Sequence, residues 1–202
     1  MRLLPAGSGA LLAEVGSVAE AAALYAAARS VDLGVTEVVP AARSVLFDGV
    51  ADRAALEGWL RSVDLGRPVT PVSAGQVVAL PTTYDGEDLG DVARLWGMTR
   101  AEVIATHTGC DFVVAFCGFS PGFAYCTGLP PELSVPRLDS PRSRVPAGAV
   151  GLAGAFPGVS PRSSPGGWRL VGRTDTELWN AGAAEPALLS PGTRVRFVEA
   201  GG

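Results

Sequence analysis

The sequence contains no lysine: all 16 of its basic residues are arginine. The chain therefore has no amine for a Schiff base, no P-loop lysine for a phosphate chain and no lysine to carry biotin. Anion binding by a permanently charged side chain is left to arginine, whose planar guanidinium pairs with carboxylate or phosphate.

Metal-binding side chains are also scarce. There is one histidine, His107, and the three cysteines (Cys110, Cys117 and Cys126) match neither C-x-x-C nor a zinc pattern. We therefore predict no metal site. An odd number of cysteines, with no secretory signal recognisable at the N-terminus, favours reduced and mostly buried thiols in a cytoplasmic protein.

Charge and long apolar runs are limited as well. Charged residues make up 18% of the chain and the net charge is −4, which argues against a nucleic-acid partner. No apolar run reaches 18 residues, so no membrane-spanning helix and no membrane partner are expected. From Arg137 onward the chain has eight arginines and five acidic residues. Before Arg137 it has eight arginines and fifteen acidic residues. An anionic ligand is therefore expected in the C-terminal part.

The N-terminal part alternates strand and helix patterns. Strands are predicted at 10–15, 35–39, 44–47 and 76–80. A capping box formed by Ser17 and Glu20 begins one helix, and Asp52 begins another that runs to Ser62. The order strand, helix, strand, strand, helix, strand predicts a ferredoxin-like α/β domain over residues 1–82.

Two helices are predicted next, in a connector over residues 83–112. Asp88 is expected to cap the first, and Thr99 with Glu102 forms a capping box for the second, which ends at His107. The polar residues at the start of the connector are interpreted as caps and a solvated first turn: Tyr84, Glu87, Asp88 and Asp91.

After residue 117 the chain becomes rich in glycine and proline, and its apolar segments shorten to pieces such as VGLAG, WRLVGRT and RVRFVE. This pattern is typical of an antiparallel barrel or sandwich of short strands, predicted here for residues 113–202. The fold class predicted for the whole chain is α+β.

Arginines recur beside the rigid turns of this part, and nearby glycines leave backbone N–H groups open to an anion. One interpretation is that the turns are only barrel corners; the other is a rim site for a carboxylate or phosphate. The predicted substrate-binding residues are Arg137, Arg173, Gly122, Gly148, Gly166 and Gly167.

Three further residues are candidates for catalysis: Arg142, Arg144 and His107. The arginines would stabilise negative charge. His107 is either the cation at a helix C-terminus or an acid–base group that titrates near neutral pH. Trp168 is interpreted as a core residue rather than a stacking platform.

Several long motifs carry a resemblance to a known family. They are EVVPAARSVLFD, YDGEDLGDVA, HTGCDFVV, GFSPGFAYCTGLP, VPAGAVGLAG and SPGGWRLVGRT. The chain resembles, over nearly its whole length, the family called KipI, PxpB or allophanate hydrolase subunit 1. It is also similar to part of the carboxyltransferase region of urea carboxylase.

The resemblance implies a ferredoxin-like domain followed by a cyclophilin-like β-barrel. It also implies a subunit of an ATP-dependent 5-oxoprolinase, with ATP and Mg²⁺ as cofactors, a small carboxylate substrate and a second barrel-domain subunit (PxpC or allophanate hydrolase subunit 2-like) as partner. Two alternatives stay open: an allophanate hydrolase subunit acting on a urea-derived carboxylate, or a KipI-type inhibitor of a histidine kinase. The chain has no Walker motif, so arginines, backbone amides and partner residues would bind ATP.

The chain departs from the family pattern at one segment in particular. Where the family often has Gln-Thr-Gly-Ile-Tyr-Pro, residues 156–161 read FPGVSP, which leaves the substrate open. Apolar residues in the predicted turns (Phe119, Phe123, Tyr125 and Phe156) further predict that the partner subunit covers residues 119–129 and 157–168.

Overall fold

The structure, a computed structural model, describes residues 1–66 and 77–201. It divides the chain into two compact units, Met1–Ala74 and Gly75–Gly202. Each unit has its own hydrophobic core.

The first unit is a four-stranded antiparallel sheet with two helices. Its strands pair in the order β1-β2-β4-β3, and the buried cluster includes Leu24, Phe47 and Leu56 from helix and sheet. The elements are β1 (Arg2–Ala6), β2 (Ala10–Glu14), α1 (Val18–Ala28), β3 (Glu37–Pro40), β4 (Ser44–Asp48) and α2 (Arg53–Ser62).

Local signals in this unit placed both helices correctly. Ser17 Oγ accepts the backbone N–H of Glu20 at 3.1 Å, and Asp52 Oδ1 accepts that of Ala55 at 3.0 Å. The Glu20 carboxylate accepts the N–H of Gly16 at 2.8 Å, so the reciprocal bond lies one residue before the predicted capping box.

The strand predicted at 76–80 does not join this sheet. Gln76 lies outside the described residues, and the strand β5 (Val77–Thr82) belongs to the second unit. Its place beside β2 is taken by β1, which pairs with β2 from Arg2 opposite Glu14 to Ala6 opposite Ala10. The ferredoxin-like order is therefore present except that its edge strand comes from the start of the chain.

The second unit is a seven-stranded barrel-like sheet with two helices. Its elements after β5 are α3 (Leu89–Trp96), α4 (Arg100–Gly109), β6 (Phe112–Cys117), β7 (Ala124–Thr127), a 3₁₀ turn (Pro131–Leu133), β8 (Arg142–Val145), β9 (Ala149–Ala153), β10 (Phe156–Val159), β11 (Ser164–Gly166), β12 (Arg169–Arg173) and β13 (Arg194–Glu199). The sheet order is β12-β9-β10-β7-β6-β13-β5, and β8 and β11 form a separate two-stranded antiparallel sheet.

A single bridge joins the two edges of this sheet. Thr83, directly after β5, exchanges two backbone hydrogen bonds with Arg173 at the end of β12, of 2.8 and 2.9 Å. Full closure leaves a sheet without free edges. The predicted α+β class with a β-barrel is confirmed.

The predicted division at residues 82 and 112 differs from the observed one. β5 pairs in parallel with β13 along its whole length, so it belongs to the barrel rather than to the first domain. The predicted connector is also part of the second unit, because Leu89, Val92 and Val103 of α3 and α4 lie in its buried core. As predicted, Thr99 and Glu102 form a capping box for α4.

Closure of the barrel depends on the absence of a side chain at Gly172. A Cβ there would lie 2.4 Å from the carbonyl oxygen of Thr83. We expect Gly172→Ala to lower the free energy of unfolding by about 1–3 kcal/mol, because two backbones would have to separate. Urea denaturation measures this.

The matched control is Gly109→Ala, at the last residue of α4. A Cβ at Gly109 meets nothing within 4 Å, so this change should leave stability unchanged or raise it by up to about 1 kcal/mol. Equal midpoints for Gly172→Ala and wild type would contradict the importance of the close approach.

Candidate functional site

A cavity of about 240 Å³ opens in the second unit. One wall consists of three aromatic rings, Phe123, Tyr125 and Trp168, whose centroids lie 4.9–5.6 Å apart. These residues come from the end of the 118–123 turn, from β7 and from the residue before β12. Trp168 is buried in an apolar cluster, as predicted for a core residue, but it also lines the cavity.

The two-stranded β8–β11 sheet and the segment after it also line the cavity. Val145, Pro165, Gly166 and Gly167 line it. The backbone N–H of Leu138 donates to the carbonyl of Gly167 at 2.8 Å. That bond fixes the neighbouring Arg137 at the cavity.

Four polar side chains line the cavity: Arg137, Tyr125, Ser160 and Ser164. None of the four forms a hydrogen bond or ion pair with another of the described residues. Burial raises the pKa of Tyr125 although the Arg137 guanidinium acts to lower it, so the phenol stays protonated at neutral pH. The cavity therefore presents a cation and three hydroxyls without protein partners, in apolar surroundings.

The lining lacks the groups that usually transfer protons. No carboxylate, histidine or cysteine from the described residues lies on it. A general acid or base needs a titratable group within hydrogen-bond reach of the reacting atoms. The cavity is thus equipped to bind an anion but not, by its own side chains, to catalyse proton transfer.

Phe119 lies at the cavity mouth in an unusual conformation. Its φ is +67°, and the N–H of Ser120 donates to the carbonyl of Gly118 at 2.8 Å, which makes a γ-turn of the rare positive-φ kind. The residue is 64% exposed. The other aromatic residues predicted to be exposed in turns are not: Phe123 is buried, and Tyr125 and Phe156 lie in strands and are half-buried.

Arg142 is not at the cavity but in an ion-pair network. Its Nη2 lies 2.8 Å from Asp88 Oδ1, its Nε 2.6 Å from Glu87 Oε1, and its Nη1 donates to the carbonyl of Trp168 at 3.1 Å. Asp88 is 5% exposed and also accepts the N–H of Leu170 at 2.6 Å. The guanidinium is therefore already paired with two carboxylates, and its catalytic role stays a prediction.

The acidic residues before and in α3 are partners of the barrel arginines. Arg173 pairs with Asp85 at 2.9 Å, and Arg169 with Asp91 at 3.4 Å. The Asp88 side chain forms no hydrogen bond that caps α3. The interpretation of this group as caps and a solvated first turn is corrected accordingly, because Asp88 is buried against β12 and bound by Arg142.

Arg144 is exposed and has no ion-pair partner among the described residues. It does not line the cavity, whereas its neighbour Val145 does. Because successive side chains of a strand point to opposite faces, Arg144 shares the face of Arg142. Among the arginines and the histidine predicted for the site, only Arg137 lies on the cavity.

His107 lies in the barrel core, 1% exposed, and does not line the cavity. Its Nδ1 is 2.7 Å from the hydroxyl of Tyr84, its ring packs against Phe112 and Phe197, and its Nε2 is buried without a partner. Burial lowers the pKa of His107 to about 3. The imidazole is thus neutral at pH 7 and is not the predicted cation at the helix end; its role in catalysis stays a prediction.

This burial predicts a pH dependence of stability. Below the ordinary histidine pKa near 6.5, the unfolded chain binds a proton at His107 that the folded chain does not bind, so stability falls as pH falls toward 3. Between pH 6.5 and 5 the wild type should lose about 2 kcal/mol relative to His107→Gln. Urea titrations of both proteins across this range measure the difference, and parallel curves would contradict it.

Only two of the four glycines predicted for the site line the cavity. Gly166 and Gly167 line the cavity, but Gly122 and Gly148 do not. A Cβ at Gly148 would lie 2.1 Å from the carbonyl oxygen of Thr174, and its φ is +76°. Gly148 is therefore a structural corner. Sequence reasoning missed Ser160 and Ser164, which carry no motif beyond their position between prolines.

Two further findings concern other classes of site. Within residues 1–66 and 77–201, no group of three or more His, Cys, Asp or Glu side chains is arranged to hold a metal ion. In the same residues, no helix has the length and apolarity needed to cross a membrane.

A family model described as "Carboxyltransferase domain, subdomain C and D" matches residues 1–189. The chain belongs to this family. Its relatives include two proteins named as subunits of 5-oxoprolinase. The one from Escherichia coli O157:H7 is 44% identical over 124 residues, 60% of this chain and 57% of the relative. The one from Bacillus subtilis is 42% identical over 126 residues, 61% of this chain and 52% of the relative. These matches confirm the resemblance to the KipI and PxpB family, and the chain spans only about half of each relative's length.

Two solved structures of the same fold belong to longer chains. TTHA0988 matches with a TM-score of 0.78 and 35% identity, over 96% of this chain and 40% of its own. Urea carboxylase of Kluyveromyces lactis matches with a TM-score of 0.68 and 19% identity, over 98% of this chain and 22% of its own. The second likeness shows the shared fold alone.

Residues 156–161, which are expected from the resemblance to depart from the family pattern, lie at the site. Ser160 lines the cavity, and Phe156 contacts Tyr125 edge-on at 6.1 Å. Pro157 is buried in β10. Residues of this segment therefore form or support the cavity.

Proposed function

We propose that this chain is the substrate-binding subunit of an ATP-dependent amidohydrolase complex that opens 5-oxoproline to glutamate. The observation that carries the proposal is the cavity at Arg137, with its aromatic wall and unpartnered hydroxyls. The relatives named as 5-oxoprolinase subunits, at 42% and 44% identity, support the choice of substrate.

The chemistry of 5-oxoproline suits this cavity. The molecule is a small ring with one carboxylate and one amide, and a cavity of about 240 Å³ lies below the usual range for drug-sized ligands, roughly 300–1,000 Å³. The Arg137 guanidinium would pair with the carboxylate. The aromatic wall of Phe123, Tyr125 and Trp168 would pack against the ring.

Hydrolysis of an unstrained lactam needs activation. Phosphorylation of the amide oxygen by ATP, with release of ADP, would let water add to the activated carbon and the ring nitrogen leave as the amine. A second water would then release phosphate from the resulting acyl phosphate, so that glutamate, ADP and phosphate form with the uptake of two waters. Because no proton-transfer group from the described residues lines the cavity, we assign the catalytic groups and the nucleotide with its Mg²⁺ to a site completed by a second subunit.

The subunit names of the relatives and one longer solved structure support such a partner. In TTHA0988 this architecture makes up 40% of a longer chain, so more polypeptide accompanies it there. On this chain the partner would cover the cavity mouth, where Phe119 exposes its ring beside Arg137. An apolar ring with a cation at a cavity mouth is a common composition for the core of an interface.

The test is a reconstitution with a partner barrel subunit and a lactam-opening subunit. Release of glutamate and ADP from 5-oxoproline and ATP, dependent on this chain, is the expected result. No turnover above the mixture lacking this chain would refute the substrate. In parallel assays, turnover of allophanate alone, or inhibition of a histidine kinase alone, would favour those alternatives instead.

A further inference from the structure

Resting on the proposed function, we propose that Ser160 is a specificity-determining residue, whose hydroxyl accepts the ring N–H of the lactam. Arg137 would bind the carboxylate at the same time. Ser160 would then distinguish a lactam from a ring of the same shape that has no N–H.

The backbone holds Ser160 firmly at the cavity. Its N–H donates to the carbonyl of Ala149 at 3.0 Å, and its own carbonyl accepts the N–H of Gly148 at 2.7 Å. The residue is 8% exposed and lines the cavity, yet its hydroxyl has no partner among the described residues. Among the described residues, the fully buried side-chain atoms without a partner are His107 Nε2 and Ser120 Oγ. The Ser160 hydroxyl is not one of them, so it is reached from the cavity and is available to a ligand.

The polar groups of the cavity can be assigned by their hydrogen-bonding capacity. Arg137 only donates, and a carboxylate only accepts. The lactam oxygen has to stay accessible to the phosphoryl donor, so the remaining group is the N–H, which needs an acceptor. Tyr125 already contributes its ring to the aromatic wall, so the two serine hydroxyls are the remaining candidate acceptors.

Between the two serines, burial favours Ser160. Ser164 is half-buried and Ser160 is buried, so water competes less for the hydroxyl of Ser160. A hydrogen bond shielded from water contributes more to discrimination than an exposed one, because the alternative leaves a buried group unpaired.

The experiment compares two ligands that differ only at the ring N–H that Ser160 would bind. They are 5-oxoproline and its lactone isostere, 5-oxotetrahydrofuran-2-carboxylate, in which oxygen replaces the ring N–H. Binding of each to the full chain is measured by ligand-detected NMR titration. Wild type should prefer the lactam, and Ser160→Ala should weaken lactam binding roughly tenfold while leaving the lactone unchanged.

Ser164→Ala is the matched control and should leave the lactam preference intact. Equal loss of both ligands in Ser160→Ala, or no change in either, would overturn the proposal. Loss of the lactam preference in Ser164→Ala rather than in Ser160→Ala would also overturn it.

The outcomes also separate this inference from the proposed function. Lactam-selective binding that depends on Ser160, without turnover in the reconstituted complex, would sustain the inference and refute the function. Turnover in the reconstituted complex, together with a lactam preference that Ser160→Ala leaves unaltered, would sustain the proposed function and refute this inference. If the wild-type chain binds neither ligand, the assigned site falls and the inference with it.

Discussion

Replacing Arg137 with alanine is expected to weaken binding of 5-oxoproline at least about 100-fold, because paired hydrogen bonds to a charged group are lost. Arg137 lines the cavity and, among the described residues, no carboxylate competes for it. Its side chain is exposed, so the thermal midpoint should hardly change. Titration calorimetry on the chain, and turnover of the reconstituted complex, measure the effect.

The matched control is Arg144→Ala. Arg144 is also exposed and unpaired among the described residues, but it does not line the cavity. Both variants remove one positive charge from the same unit. A similar loss of affinity in both would mean that general charge rather than a specific contact attracts the ligand, and would contradict the cavity assignment.

Arg142→Ala is expected to act on stability instead, lowering the free energy of unfolding by about 3 kcal/mol. The change leaves the Asp88 carboxylate buried with one remaining bond, from the N–H of Leu170. The side chain of Arg142 is 20% exposed, and we therefore place the effect at the lower end of what breaking a buried ion pair costs. Urea denaturation followed by tryptophan fluorescence measures it.

A second variant identifies the cause. In Asp88→Asn/Arg142→Ala the buried group is neutral, so part of the lost stability should return. If Arg142→Ala instead unfolds at the wild-type midpoint but has no activity, the original expectation of a catalytic arginine would be restored.

Features set by a few neighbouring residues could be predicted from the sequence. The cap residues Ser17, Asp52 and Thr99 begin helices where expected, because a cap needs only the next turn of backbone. The motifs likewise identified the family. Arg137 and the Gly166–Gly167 pair were placed at the site because a rigid turn presents them.

Features set by distant residues were missed. Asp88 looked like a cap because of its position before a helix, but its partners Arg142 and Leu170 are far away along the chain. β5 looked like the last strand of the first domain because nothing local shows that it pairs with β13. Ser160 belongs to the segment 156–161 that was expected to depart from the family pattern, but only the folded barrel shows that it lines a cavity.

The pairing of β5 with β13 also determines when the barrel can form during synthesis. The two strands are the first and last of the second unit. Residues 77–82 cannot form their parallel pairing until residues 194–199 have been synthesised. The first unit's sheet needs nothing beyond Asp48. On the ribosome, the first unit can therefore fold early, while the second stays open at this seam until nearly all of it has emerged, and contacts of such long sequence separation form slowly.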